Sequence, residues 1–162
     1  PAPSLVADKD GVATALVAAV WAAELKAQGR TLRDELVTLD ELYGTVRTAQ
    51  VSVRLSGPQA ASALVAQWAT EPPEELSGDA TTTVTALDPT AWKDAGFRII
   101  WNDRRGLDYR VVVRPSGTEP KAKFYLQVSG PVPGTTQGAV SGTAVESALA
   151  ELTATVRRLA GQ

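Results

Sequence analysis

A chain of 162 residues that is 44% apolar and 21% charged is ordinary for a folded protein, and long enough for one domain or slightly more. It contains no cysteine and no histidine, which excludes disulfides, thiolate or imidazole metal sites, and catalytic triads built on histidine. Because the net charge is −2 and no apolar run is long enough to cross a bilayer, we expect no binding to nucleic acid or membranes. The absence of cysteine fits a cytoplasmic setting.

Two helices are predicted at the start of the chain. Asp10 suits a helix N-cap before an alanine-rich run, and Gly29 fits the position just after a helix end. Thr31 and Asp34 form a capping box that begins the second helix, which Gly44 ends. Each helix carries an apolar stripe that needs another layer to cover it, so we expect a larger body to pack there.

The remainder of the chain predicts a sheet packed with helices. Alternating or β-branched runs indicate strands at 50–55, 97–102, 108–114 and 122–128, with a weaker extended segment at 81–87. A short helix is predicted over 60–69, and a last helix is expected to bury Val145, Leu149, Leu152, Val156 and Leu159. Neighbouring strands joined by short turns indicate an α+β fold with a mainly antiparallel sheet.

The segment Arg114–Lys121, of sequence RPSGTEPK, lies between two of these strands and has the chemistry to bind an anion. The guanidinium of Arg114 can bind two phosphate oxygens at once, and Ser116 and Thr118 offer hydroxyl donors. Gly117 permits a positive φ that would let neighbouring N–H groups converge on an anion. The same residues suit a plain hairpin turn with solvated charges at the strand ends, so both interpretations stay open at this point.

The string RPSGTEPK resembles the C-terminal signature of the α-D-phosphohexomutases, which comprise phosphoglucomutases, phosphomannomutases and phosphoglucosamine mutases. It follows a valine-rich strand and precedes a K-x-K-F-Y strand, as in that family. The resemblance implies that the loop belongs to the family's fourth domain and clamps the phosphate of the substrate that is not reacting. The residues that would bind this phosphate are Arg114, Ser116, Gly117, Thr118 and Lys121.

A second resemblance lies at the start of the chain. Residues 6–12, of sequence VADKDGV, are similar to the D-K-D-G-[IV] segment near the end of the family's third domain, where the lysine reaches the active site. Lys9 is therefore an implied active-site contact, with a merely exposed lysine at a helix start as the alternative. No catalytic residue is otherwise expected in this chain. No metal site is expected either, because Val12 occupies the third ligand position of a calcium-loop pattern.

The resemblance also implies a domain organisation. Residues 1–48 would form the C-terminal helical part of the third α/β domain plus a hinge, and residues 49–162 would form the fourth domain. In the family, that fourth domain is a four-stranded, mainly antiparallel sheet packed with helices. Since the chain has no methionine and opens Pro-Ala-Pro, we expect it to be a fragment of a longer protein.

The function implied by the family is a mutase that interconverts sugar 1-phosphate and 6-phosphate through a phosphoserine enzyme and a bisphosphate intermediate. The family uses Mg²⁺, with a sugar bisphosphate as activator, but its phosphoserine, magnesium and sugar-selecting loops are absent from this sequence. We therefore expect the chain to bind phosphate without catalysis and to hold no cofactor. Its expected partners are a glucose or mannose phosphate and the missing N-terminal domains.

Two alternatives from other classes of function remain beside the mutase. The first is a free-standing module that binds phosphate or a phosphosugar. The second is a structural domain in which the segment 114–121 is only a hairpin turn.

Overall fold

The computed structural model of the chain describes residues 10–78, 80–88, 96–132 and 140–161. The chain divides into two compact units, the first ending at Leu42 and the second beginning at Tyr43. The domain boundary implied by the resemblance, between residues 48 and 49, lies inside the first strand of the second unit. Within the described ranges, no helix is both long and apolar enough to cross a membrane.

Two capped helices account for most of the first unit: α1 spans Gly11–Ala27 and α2 spans Leu32–Tyr43. Asp10 Oδ1 accepts the N–H of Ala13 at 2.8 Å, which confirms the predicted N-cap of α1. The predicted capping box of α2 is also confirmed, because the Thr31 N–H donates to Asp34 Oδ2 at 2.7 Å and the Asp34 N–H donates to Thr31 Oγ1 at 3.2 Å.

The apolar stripes of both helices stay exposed. Val12 of α1 is 86% exposed, and Leu36 of α2 is 61% exposed. Leu25 is buried, unlike the rest of the α1 stripe. Apolar residues that remain in contact with water contribute little free energy of burial. These two helices therefore gain little stability from packing of their apolar stripes.

The second unit is a five-stranded antiparallel sheet with two helices. Its elements are β1 Val46–Arg54, α3 Pro58–Thr70, a 3₁₀ turn Glu74–Leu76, β2 Thr83–Ala86, β3 Phe97–Asn102, β4 Asp108–Pro115, β5 Lys121–Ser129 and α4 Gly142–Leu159. The strands lie in the order β1-β5-β4-β3-β2, and every neighbouring pair is antiparallel. The predicted α+β fold is confirmed, with one strand more than the four expected.

The additional strand is β2, at the edge of the sheet. It pairs with β3 from Thr83 opposite Ile100 to Ala86 opposite Phe97, and all four of its residues are exposed. Backbone hydrogen bonds rather than buried side chains bring this segment into the sheet. The hydrophobic pattern therefore predicted only a weak extended segment there.

One face of the sheet forms the core beneath α3 and α4. Inward side chains of β3, β4 and β5 are fully buried, among them Ile99, Val111 and Phe124. The ring of Trp68 on α3 packs 5.1 Å from the ring of Phe124. The face of α4 that packs here contains Val145, Leu152 and Val156, as predicted, with Leu149 and Leu159 half-buried at its border.

The opposite face of the sheet, which we call the open face, bears alternate side chains of the same strands. On its central strands they are mostly polar or cationic: Arg98, Arg110, Val112, Arg114, Lys123 and Tyr125. Because side chains alternate along a strand, burying one face against the helices necessarily places this set together on the other.

Candidate functional site

The segment between β4 and β5 is a short hairpin loop held at three points. The Ser116 N–H donates to the carbonyl of Lys121 at 2.8 Å, which closes the base of the loop. The Lys121 N–H donates to the carbonyl of Glu119 at 2.7 Å, and the Leu55 N–H, just beyond β1, donates to the carbonyl of Pro120 at 2.8 Å. The loop is thus fixed by its own strands and by the end of a third.

The tip of the loop presents hydrogen-bond donors to solvent. Gly117 and Thr118 are exposed, Ser116 is half-buried, and within the described chain neither the N–H groups of Gly117 and Thr118 nor the two hydroxyls donate to a protein group. Successive open N–H groups beside hydroxyl donors make a favourable position for an oxyanion. The five predicted phosphate-binding residues are therefore all brought to one end of one hairpin.

Gly117 does not use the left-handed backbone conformation that its sequence context suggested. The described glycines with positive φ are Gly29, Gly44, Gly78, Gly106 and Gly161. Gly117 instead has no side chain that could cover the neighbouring N–H groups.

Arg114, near the end of β4, is held on the open face by Tyr125 of β5. Its Nη2 donates to the Tyr125 hydroxyl at 2.9 Å, and its guanidinium carbon lies 5.4 Å from the centre of that ring. A hydrogen bond and a cation–π contact acting together restrict a side chain that otherwise has many rotamers. Strand alternation predicts that Tyr125 lies on this face, but the alternation alone does not predict its contact with Arg114.

The register between β4 and β5 was the signal that could have revealed this contact. Arg114 stands opposite Lys123, and Tyr125 stands opposite Val112, so Arg114 and Tyr125 are diagonal neighbours. Diagonal pairs in an antiparallel sheet are within reach for long and aromatic side chains.

Lys121 is paired within the loop itself. Its Nζ donates to Glu119 Oε1 at 2.8 Å, and Arg54 Nη2 lies 3.9 Å from the same oxygen. The hydrogen bond from Lys121, followed by the charge of that lysine, lowers the pKa of Glu119. An exposed pair of this kind is worth little free energy, so Lys121 can exchange Glu119 for a phosphate oxygen at small cost.

Two further expectations concern the chain's start and metal binding. Lys9 lies outside the described residues. Among the described residues, no three aspartate, glutamate, histidine or cysteine side chains lie close enough together to hold a metal ion.

Several known proteins are similar in sequence to this chain. A probable phosphomannomutase of Haemophilus influenzae is 33% identical over 131 residues, which cover 81% of this chain and 26% of that protein. This similarity supports the phosphohexomutase superfamily that the hairpin sequence resembles. A phosphoglucomutase of Staphylococcus aureus strain N315 is 31% identical over 147 residues, and that of strain USA300 is 29% identical over 146.

The chain spans about a quarter of the length of the curated relatives it matches. No model of a protein family matches it, and no solved structure matches it significantly. The groups gathered at its hairpin are cations, hydroxyls and amide N–H donors. Such groups bind and orient an oxyanion, whereas moving a phosphoryl group also requires an activated nucleophile and neutralisation of the developing charge.

Proposed function

We propose that this chain is the phosphate-binding C-terminal part of a phosphosugar mutase, whose parent protein interconverts sugar 1-phosphate and 6-phosphate through a phosphoserine and a bisphosphate intermediate. Its substrate would be a glucose or mannose phosphate, in line with the names of its relatives. The loop Arg114–Lys121 would hold the phosphate that is not reacting.

The geometry of the loop is the observation that carries this proposal. The open N–H groups of Gly117 and Thr118 lie at the tip of the hairpin that also bears Arg114, and Arg114 is restrained by Tyr125. A phosphate dianion can accept from the guanidinium, the amides and the hydroxyls together, and such charge-assisted hydrogen bonds are the strong ones. Because the donors are already fixed, little ordering is needed when the ligand arrives.

A mutase of this kind needs a holding site apart from the reacting centre. Its substrate must bind in two orientations, and in each of them one phosphate reacts while the other is held. A unit that carries the holding site can close as a lid, so that binding energy excludes water from the reaction.

The reaction itself would be completed by residues outside this chain. The nucleophilic serine and the Mg²⁺ ligands would come from the N-terminal part of the parent, and a sugar bisphosphate would activate it. Phosphorylated sugars of this type suggest a cytoplasmic setting.

Phosphate binding by the isolated chain can be measured by NMR. We expect the amide signals of Gly117 and Thr118 to shift and saturate with inorganic phosphate at millimolar concentration, and not with sodium chloride of equal ionic strength. Arg114→Gln should weaken binding about tenfold, because it removes a charge-assisted bidentate contact. Arg158→Gln, an exposed change at the end of α4, serves as the matched control.

The alternatives give different results in the same experiment. Equal shifts with phosphate and chloride would contradict the proposal and favour a plain hairpin turn, which the Lys121–Glu119 pair also suits. Phosphate binding alone does not separate a holding site in a mutase from a free-standing binding module. The second test is therefore Arg114→Ala in the full-length parent, where unchanged mutase kinetics would contradict the proposal. The proposal expects that substitution to raise the parent's KM at least about tenfold while phosphoserine formation continues.

A further inference from the structure

A second group of cations surrounds Val112 on the open face, beside the loop but separate from its tip. Arg98 of β3 stands opposite Val112 across the β3–β4 ladder. Arg110 and Arg114 lie two residues to either side of Val112 on β4, and Tyr125 stands opposite it on β5. The register therefore places three guanidinium groups around one apolar residue.

These side chains line a cavity of about 390 Å³, to which Leu87 also contributes. Val112, Arg114 and Tyr125 are half-buried and form its inner part, while Arg98 and Arg110 are exposed at its border. A volume of this size exceeds what a phosphate ion needs and suits a small organic ligand.

The charges in this cavity favour an anionic occupant. Within the described chain, Arg98 and Arg110 make no ion pair and no hydrogen bond. Arg98 is a diagonal neighbour of both Arg110 and Arg114, and like charges at such positions repel one another. An anion placed between the guanidinium groups would remove this repulsion and form bidentate hydrogen bonds.

We propose that this cavity is a second oxyanion subsite, which binds a phosphate monoester. The phosphate group would bind Arg98 and Arg110, and the organic group would pack on Val112, Leu87 and the ring of Tyr125. The subsite differs from the loop in its donors, because the N–H groups of the central strands bond within the sheet and only side chains can bind a ligand on this face.

Arg114 connects the subsite with the loop. Its guanidinium lies over Tyr125, one wall of the cavity, while its backbone lies one residue before the end of β4, the strand that leads into the loop. A ligand in the cavity therefore changes the electrostatic environment of the residue proposed to bind phosphate at the loop. The two sites are expected to bind anions with negative coupling, since each attracts the same guanidinium.

The subsite can be tested with phenyl phosphate as the probe and the ¹⁵N-labelled chain as it stands. We expect the side-chain Nε–Hε signals of Arg98 and Arg110 to shift and saturate, whereas sodium chloride of equal ionic strength gives no saturation. Arg98→Gln and Arg110→Gln should each raise the Kd at the cavity roughly fivefold, and Arg158→Gln should leave it unchanged. All three residues are exposed, so backbone spectra can verify that the variants remain folded.

The outcomes separate this subsite from the loop. Signals that move only at Gly117 and Thr118, or a Kd at the cavity that neither glutamine variant changes, would overturn the subsite and leave the loop proposal intact. Saturation at Arg98 and Arg110 with silent loop amides would support the subsite and contradict the loop. The double variant Ser116→Ala with Thr118→Val should weaken loop binding without raising the Kd at the cavity, since a less occupied loop competes less for Arg114.

Discussion

Arg114 and Tyr125 come from neighbouring strands and make two different contacts with each other. The guanidinium Nη2 donates to the phenol oxygen at 2.9 Å, and the guanidinium carbon lies 5.4 Å from the ring centre. Removing the hydroxyl and removing the ring are therefore separable changes. Together they measure how much the orientation of Arg114 contributes to phosphate binding.

We predict a graded loss of phosphate affinity across two substitutions of Tyr125. Tyr125→Phe keeps the ring and loses the hydrogen bond, so the phosphate Kd should rise about twofold to threefold. Tyr125→Leu loses both contacts, and the Kd should rise about tenfold. NMR titration measures both values, with Tyr43→Phe at an exposed tyrosine as the control. If Tyr125→Leu bound phosphate with wild-type affinity, the two contacts with Tyr125 would not be needed to orient Arg114.

For the pair formed by Lys121 and Glu119 we predict a substitution that makes phosphate binding tighter rather than weaker. Glu119 places a carboxylate next to the proposed anion site and bonds the Lys121 ammonium at 2.8 Å. Glu119→Gln removes that negative charge and releases Lys121, so phosphate binding should become about threefold tighter at low salt. The gain should shrink as ionic strength rises. Glu151→Gln on α4 is the control. Weaker phosphate binding in Glu119→Gln would contradict the prediction and would mean that the Glu119 carboxylate is needed to shape the turn.

The turn between β3 and β4 contains a network that should make stability depend on pH. Tyr109 donates to Asp103 Oδ2 at 3.0 Å and accepts from Arg105 Nη2 at 2.8 Å, and its ring stacks on Trp101 at 4.9 Å. Burial, and then the hydrogen bond to Asp103, raises the pKa of Tyr109 to about 12. Burial alone would raise the pKa of Asp103, but hydrogen bonds from Arg105, the Leu107 N–H and Tyr109 outweigh it and lower that pKa.

At alkaline pH we predict a loss of stability that depends on Tyr109. Since its folded pKa lies above the ordinary value of 10.0, its contribution is complete below about pH 10 and is lost as the pH rises through about 12. Tyr109→Phe should remove this dependence. Tyrosinate absorbance and urea unfolding followed across this range would check it, and a Tyr109 titration midpoint near 10 would contradict it.

At acid pH we predict the converse for Asp103. Its folded pKa is lowered, so its contribution is present above the ordinary pKa of 3.8 and is lost as the pH falls through the folded value. Asp103→Asn should lower the unfolding free energy near neutral pH by about 1–2 kcal/mol and flatten its decline below about pH 4. An unchanged acid dependence in urea unfolding of this variant would count against the network.

The sequence predicted the parts of this protein that depend on local patterns. Alternation identified β4 and β5, capping residues placed α1 and α2, and the loop residues come together because they are contiguous in one hairpin. Local patterns do not predict the cavity around Val112, because Arg98 lies beside Arg110 only in the observed register of β3 on β4. Register depends on long-range pairing and turn length, which one strand's sequence does not determine. The pairing of Lys121 with Glu119 likewise depends on rotamers rather than on residue type.

The last prediction concerns Gly44, which leads into β1. Its φ is +83°, and a Cβ added there would lie 2.9 Å from the carbonyl oxygen of Gly130 and 3.0 Å from that of Pro131. Gly78 has a φ of +57° with nothing within 4 Å of an added Cβ. Alanine at Gly78 therefore tests backbone strain alone, whereas alanine at Gly44 adds a collision with backbone that side-chain movement cannot relieve.

We expect Gly78→Ala to lower the unfolding free energy by about 1 kcal/mol and Gly44→Ala to lower it by about 2–4 kcal/mol. Urea unfolding followed through the amide signals of β1 and β5 measures both changes in the unit that contains these glycines. Gly130 follows β5 and its N–H donates to the Thr45 carbonyl at 2.8 Å, so the collision should also speed amide exchange near that end of the β1–β5 ladder. Equal losses at the two positions would mean that the backbone around Gly130 moves aside at no cost, and that the close approach at Gly44 does not constrain the sheet.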